Sequence, residues 1–161
     1  MASSDYTNRL HDLLIFQGAS PEGNVPITIA IGDVASITTG AQKVAQLFYS
    51  MLLTQTGTVA GEPTLGTDFL YELQRGGLRT ESDVQAKFGY AVTQILDSMS
   101  VRWESEEVNG EIPTISPDER LTNIELINFS IEVDKLMLRV RLTTEAGDSR
   151  EYFYPVTVAI T

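Results

Sequence analysis

The chain of 161 residues contains no cysteine, one histidine and one tryptophan. The missing cysteine excludes disulfides, thiol catalysis and cysteine-based zinc sites. His11 is the single histidine, so no pair of histidines exists at the spacing that holds a metal ion. No glycine-rich phosphate loop with its lysine occurs either. We therefore expect no metal ion and no cofactor.

Basic residues and long apolar runs are also scarce. The chain has only 11 Lys and Arg but 22 Asp and Glu, which gives a formal net charge of −11. A nucleic-acid partner would require a basic surface, and an acidic chain is repelled by anionic membranes. No run of about 18 apolar residues is present, so no membrane-spanning helix is expected. The acidity either keeps the chain soluble or steers it towards a basic partner.

Helical periodicity dominates the first half of the chain. A helix is predicted after Thr39-Gly40, because apolar residues then recur at steps of three and four. A loop rich in Gly and Pro follows over 55–66, and Thr67 can cap a second, short helix. A third helix is predicted over 81–98, where Thr80 and Asp83 have the spacing of a capping box.

From Val101 onwards the period changes to two. Residues 102–108 are predicted to form an exposed charged strand, followed by a turn at Asn109-Gly110. The segment 121–133 is extended, and its alternation slips between Leu126 and Ile127, which predicts a bulge or a strand that changes faces. Two further alternating strands, joined by a hairpin at Ala146-Gly147-Asp148, complete the chain. Helices followed by antiparallel strands define an α+β fold, with two to three amphipathic helices packed on a C-terminal antiparallel sheet.

Residues 1–36 are interpreted as an N-terminal arm, and 37–161 as a single α+β domain. An apolar cluster between Leu10 and Phe16 has the spacing of about two helical turns. Repeated Gly and Pro predict a loop over 17–26, and β-branched residues predict a short strand over 27–31. The arm could pack on its own domain or reach a neighbouring chain.

The last strand carries Pro155, which cannot donate a ladder hydrogen bond. Such a strand should lie at a sheet edge or leave that position unpaired. It is either a plain edge strand or a site of strand addition with another subunit. In the second case Tyr154, Val156 and Val158 are the candidate partner-facing residues.

Acidic residues are concentrated after the third predicted helix, and a glycosidase would need two of them in opposed environments. Alternating acids on an exposed strand are more simply a solvated surface. We therefore predict no catalytic residues and no enzymatic activity. The acids concerned are Glu104, Glu106, Glu107 and Glu111.

The loop after the first helix resembles the baseplate wedge proteins, or sheath initiators, of contractile phage tails and related injection machines. In that family a helix ends in a Leu-x-Thr-x-x-Gly turn, and the following loop closes on Pro-x-x-Gly. The matching residues, which we expect to set the fold, are Leu52, Thr54, Gly57, Pro63 and Gly66.

A second point of resemblance follows the helical part, where many members carry Glu-Pro-Arg at a contact with neighbouring wedge subunits. Here Glu104 matches, whereas Ser105 and Glu106 depart from the pattern. Trp103 and Glu104 are accordingly candidate partner-binding residues. The alternative for Trp103 is an ordinary core aromatic at the start of the sheet.

The resemblance implies a structural protein of the virion tail baseplate, assembled in the host cytoplasm, that templates the first ring of sheath subunits. It implies about six copies per particle. The expected partners are other wedge subunits, the ring next to the tail tube, and the sheath protein through strand addition. The alternatives are a tail terminator or completion ring protein, a tail-associated glycan hydrolase, and a free-standing binding module.

Overall fold

The computed structural model describes residues 12–13, 16–17, 22–26, 28–29, 37–108, 115–131 and 135–157. Short strands come first: β1 (Asp12–Leu13), β2 (Phe16–Gln17), β3 (Glu22–Pro26), β4 (Thr28–Ile29) and β5 (Ile37–Thr38). The helices are α1 (Gly40–Leu53), α2 (Phe69–Gln74) and α3 (Glu81–Val108). A 3-10 turn at Pro117–Glu119 precedes the long strands β6 (Leu121–Ile131), β7 (Lys135–Thr144) and β8 (Ser149–Thr157).

The long strands form an antiparallel meander, so the predicted α+β class is confirmed. The sheet order is β3-β8-β7-β6, with β3 parallel to β8. The predicted hairpin joins β7 to β8, and Gly147 adopts a φ of +84° there. Its N–H donates to the carbonyl of Thr144 over 2.9 Å. The remaining short strands pair as β1 with β5 and β2 with β4.

The predicted bulge in β6 is present. Leu126 lies opposite Val140 and Asn128 lies opposite Arg139, so Ile127 is the extra residue. Two residues on one strand then face one on the other, which reverses the alternation of apolar side chains after this point.

The core lies between the sheet and the three helices, and α1 covers the middle of it. Phe48 of α1 packs edge-on against Tyr154 of β8, with ring centroids 5.1 Å apart. The hydroxyl of Tyr154 donates to the carbonyl of Ala45 over 3.2 Å. Burial raises the pKa of Tyr154 well above its ordinary value, so this hydroxyl keeps its proton. The tyrosine therefore joins strand and helix without leaving a buried polar group unpaired.

Helix α3 begins as predicted. The N–H of Thr80 donates to the Asp83 carboxylate over 2.9 Å, and the N–H of Asp83 donates to the Thr80 hydroxyl over 3.1 Å. Its end differs from the prediction, because 102–108 continue the helix instead of forming a strand. Trp103 follows Met99 by four residues and packs, half-buried, against the core. This step prolongs the apolar stripe of the helix, and Arg and Glu are good helix formers.

Two predictions for the N-terminal segment are wrong where the structure describes it. Leu13 and Phe16 lie in two-residue strands and not in a helix. Glu22–Pro26, predicted as a loop, forms β3 because its backbone pairs with β8. Thr28–Ile29 lies within the predicted strand 27–31, whose other residues are outside the described ones. The turn at 109–110 is also outside them, and the domain boundary at residue 36 stays a prediction.

The loop 55–66 consists of three consecutive turns. Gly57 and Gly61 occupy the third positions of the first two turns, with φ of +83° and +87°. Pro63 occupies the second position of the last turn, which its fixed φ favours. In each turn the fourth N–H donates to the first carbonyl, at 3.2, 3.2 and 3.1 Å for 55–58, 59–62 and 62–65.

The loop closes where Gly66 passes Thr54. The N–H of Thr67 donates to the carbonyl of Thr54 over 2.7 Å. The fully buried Thr67 hydroxyl donates to the carbonyl of Leu52 over 3.1 Å and accepts from the N–H of Phe69, as predicted for a cap. A Cβ atom on Gly66 would lie 2.3 Å from the Thr54 carbonyl oxygen. Only glycine permits this approach.

Replacing Gly66 with alanine should therefore destabilise the chain strongly. Its φ of +97° is unfavourable for alanine, and the new Cβ would collide with the backbone. We expect Gly66→Ala to lower the free energy of unfolding by about 2–4 kcal/mol, measured by urea denaturation.

The matched control is Gly61→Ala, since Gly61 has a similar φ but a Cβ atom added there would meet no other atom within 4 Å. In this variant the free energy of unfolding should fall by only about 1–2 kcal/mol, which is the cost of placing alanine at a positive φ. Equal losses in the two variants would show that the contact with Thr54 does not constrain the loop.

Candidate functional site

Within the described ranges, no group of three or more His, Cys, Asp and Glu side chains could hold a metal ion. No helix in those ranges is long and apolar enough to cross a membrane. Glu104 is exposed on α3. The side chains of the other acids considered for a glycosidase, residues 106, 107 and 111, are outside the described ones.

Two of the predicted partner-facing residues lie inside the protein. The side chains of Tyr154 and Val156 are 0% exposed, because α1 covers this face of β8. They serve the core of their own chain, which corrects the prediction. Val158 is outside the described residues. Glu104 remains on the surface, next to the half-buried Trp103.

Strand β8 is also not an edge strand along its first half. It lies between β7 and β3, and the last described pair with β3 joins Pro26 to Phe153. Pro155 lies two residues beyond that last pair and is opposite Met137 of β7, so among the described strands β8 has a neighbour on one side only at this position, as expected for a strand that carries proline. Its carbonyl accepts a hydrogen bond from the hydroxyl of Tyr49 in α1.

The described strands leave two edges of the sheet unpaired, the outer side of β3 and the outer side of β6, and the β6 edge is the longer. Strand β6 has 11 residues and pairs with β7 on one side only. Ile131, near its end, is 60% exposed. An edge of this kind presents N–H and C=O groups that another strand can use.

A groove of about 550 Å³ runs between this edge and α3. Side chains from both faces of β6 line it, so the groove opens along the edge of the strand. Bulge residue Ile127 contributes to the same wall. The other lining residues are Glu81, Gln85, Phe88, Gly89, Val92, Ile124, Glu125, Leu126, Asn128 and Phe129.

Gly89 leaves one turn of the α3 wall bare. It is exposed and lies within a regular helix. A Cβ atom there would meet nothing within 4 Å. Glycine in a helix interior is unfavourable relative to alanine, and packing among the described residues does not require it. The sequence contains one sign of this groove, the glycine within its longest helical pattern, but the pattern alone did not predict a groove.

Gly89→Ala should therefore stabilise the chain, since alanine costs less conformational entropy in a helix. We expect the free energy of unfolding to rise by about 0.5–1 kcal/mol in urea denaturation. The reverse change at a neighbouring exposed helical position, Ala86→Gly, is the matched control and should lower it by a similar amount. A loss of stability in Gly89→Ala would reveal a packing role for the glycine.

The sheet face opposite the helices carries a charged network across three strands. The carboxylate of Glu151 accepts from Arg141 over 2.6 Å and from Arg139 over 2.7 Å. Arg141 also donates to Glu125 over 3.0 Å. The hydrogen bond from Arg141 is the main reason why the pKa of Glu151 is lowered, and the bond from Arg139 lowers it further. The network fixes the register of polar side chains on this face.

This network predicts a pH dependence of stability. Because the folded pKa of Glu151 lies below its unfolded value, its contribution is complete above about pH 4.5. It is lost as the pH falls through the folded pKa. Urea denaturation between about pH 6 and 3 should therefore show a shallower fall in stability for Glu151→Gln than for the unchanged chain. The control is Glu145→Gln, which changes an exposed acid in the hairpin. If stability fell equally steeply with pH in the unchanged chain and in both variants, the lowered pKa of Glu151 would not contribute to stability.

A second groove, of about 480 Å³, lies between the loop and the later turns of α3. Val101 in its wall is 66% exposed. The hydroxyl of Ser98 donates to the carbonyl of Thr64 across it over 3.3 Å. Glu104 follows Val101 by three residues on α3, so this apolar surface and the predicted partner-binding acid share one side of the helix.

No protein family model matches this chain, and neither a curated protein nor a solved structure matches it. The resemblance to baseplate wedge proteins is therefore supported only by the residues quoted above.

Proposed function

We propose that the chain is a structural assembly protein, the sheath-initiating wedge subunit of a contractile tail baseplate. The observation that carries the proposal is the long β6 edge on a sheet whose inner face is covered by helices. A protein of this class must offer one surface to its baseplate neighbours and a separate template to the first sheath ring. The described fold has a separate surface for each.

The helical layer is the proposed surface for wedge neighbours. The second groove, Val101 and Glu104 lie together there, and exposed apolar side chains beside a charge are typical of a protein interface. The motif that carries the resemblance is part of this layer, because Thr54 and Gly66 close the loop that forms one wall of the groove.

The sheet is the proposed template for the sheath. Strand addition was expected at the last strand, but β3 already flanks its first half, and Tyr154 and Val156 in its second half are buried in the core. The β6 edge is the better site because it is the longer of the two edges that the described strands leave unpaired, 11 residues against 5 in β3, and because a groove runs beside it. A strand added there would continue the meander and set the register of the first sheath subunit.

Location within a particle tests this function. Cryo-electron microscopy of tails purified from cells that produce the chain should place about six copies in a ring beneath the first sheath ring. Quantitative mass spectrometry of the same particles checks the copy number.

Density at the opposite, head-proximal end would favour a tail terminator instead. Absence of the chain from purified particles would exclude both assembly functions. The glycan hydrolase would then be tested next, with glycan cleavage as the measurement and Glu104→Gln as the variant.

A further inference from the structure

We propose that the groove between α3 and β6 binds an extended segment of a basic partner protein, which carries an apolar side chain at every second position. The segment would pair with the β6 edge and direct alternate side chains into the groove. This inference deepens the proposed function, on which it rests, by naming the chemistry that the template recognises.

The first argument is geometric. Glu125 and Asn128 project from the outer face of β6, whereas Ile124 and Phe129 project from its inner face, and all of them line the groove. The strand edge between the two faces is therefore part of the groove wall. A segment lying there would be within reach of backbone groups, and its side chains would alternate between the groove and the opposite side.

The dimensions of the two walls also agree. The groove-lining part of β6, residues 124–129, spans about 17 Å at about 3.3 Å per residue. The lining part of α3, residues 81–92, spans about 17 Å at about 1.5 Å per residue. A segment of about six residues, with three side chains towards the groove, fits this length.

The second argument is the apolar lining. Val92, Leu126 and Phe129 are only half-buried, although each packs against the core. A partner side chain would complete their burial, which is favourable in proportion to the apolar area removed from water. The bare backbone at Gly89 leaves space for that side chain, in a position where the helix itself gains nothing from glycine.

The third argument is charge. The lining includes Glu81 and Glu125 but no Lys or Arg. Glu125 already pairs with Arg141 across the sheet, so the attraction for a basic segment comes mainly from Glu81 and from the chain's formal net charge of −11. Basic residues at the ends of the segment would be attracted to this surface, mainly through faster association and with a clear dependence on salt.

The test uses the full chain and a fluorescein-labelled peptide of sequence Lys-Val-Thr-Val-Thr-Val-Lys, with binding measured by fluorescence anisotropy. One control peptide has the same composition without alternation, Lys-Thr-Thr-Val-Val-Val-Lys. The other carries Glu in place of both Lys. We expect the alternating basic peptide to bind about tenfold or more tightly than either control. Equal binding of the alternating and the block peptide would overturn the proposal.

A pair of leucine substitutions separates docking from stability. Gly89→Leu fills the groove while improving the helix, so it should weaken peptide binding about tenfold or more and leave the melting temperature unchanged or higher. Ala86→Leu adds the same side chain at an exposed α3 position outside the groove lining, and should bind as the unchanged chain does. Undiminished binding by Gly89→Leu would place the peptide elsewhere.

Hydrogen exchange identifies the pairing itself. Amides in the second half of β6 should exchange more slowly when the peptide is bound, and those in β8 should not change. Bound peptide without protection of β6 would refute strand pairing. The two proposals remain distinguishable: a baseplate ring without peptide binding removes only this inference, and peptide binding by a chain absent from tails removes only the proposed function.

Discussion

The packing of α1 on β8 is the contact on which the rest of the fold depends. Tyr152 and Tyr154 extend from the strand and donate their hydroxyls to the helix carbonyls of Ala41 and Ala45, over 3.2 Å each. Tyr49 returns a hydrogen bond from the helix to the strand carbonyl of Pro155. The rings bury a large apolar area, and each hydroxyl finds a backbone acceptor, so little is lost by burying them.

Both ends of α1 are then held by residues far along the chain. At its start, the buried carboxylate of Glu119 accepts from the N–H of Gly40 over 2.8 Å and from Lys43 over 2.9 Å, near the positive end of the helix dipole. At its end, the loop returns to the helix through Thr54 and Gly66. Helix α3 packs beside β6, and the described strands leave the outer edge of β6 unpaired.

This arrangement separates assembly surfaces from core. The last strand has the alternation of a partner-binding strand, yet its apolar face is the face that α1 requires. The longest open edge among the described strands belongs instead to β6, whose bulge at Ile127 interrupts the alternation beside α3. Bulges commonly lie at sheet edges, and here the bulge borders the groove that we propose as the docking site.

Local patterns in the sequence determined the helix α1, the capping box at Thr80 and Asp83, the β6 bulge and the α+β class, because each depends on residues a few positions apart. The tertiary structure alone decided that β3 flanks β8 and that Tyr154 is core. It also decided that Glu119 caps α1 and that Gly89 faces a groove. These features depend on which distant segments meet, and that is set by burial and backbone pairing over the whole fold, which no short-range periodicity encodes.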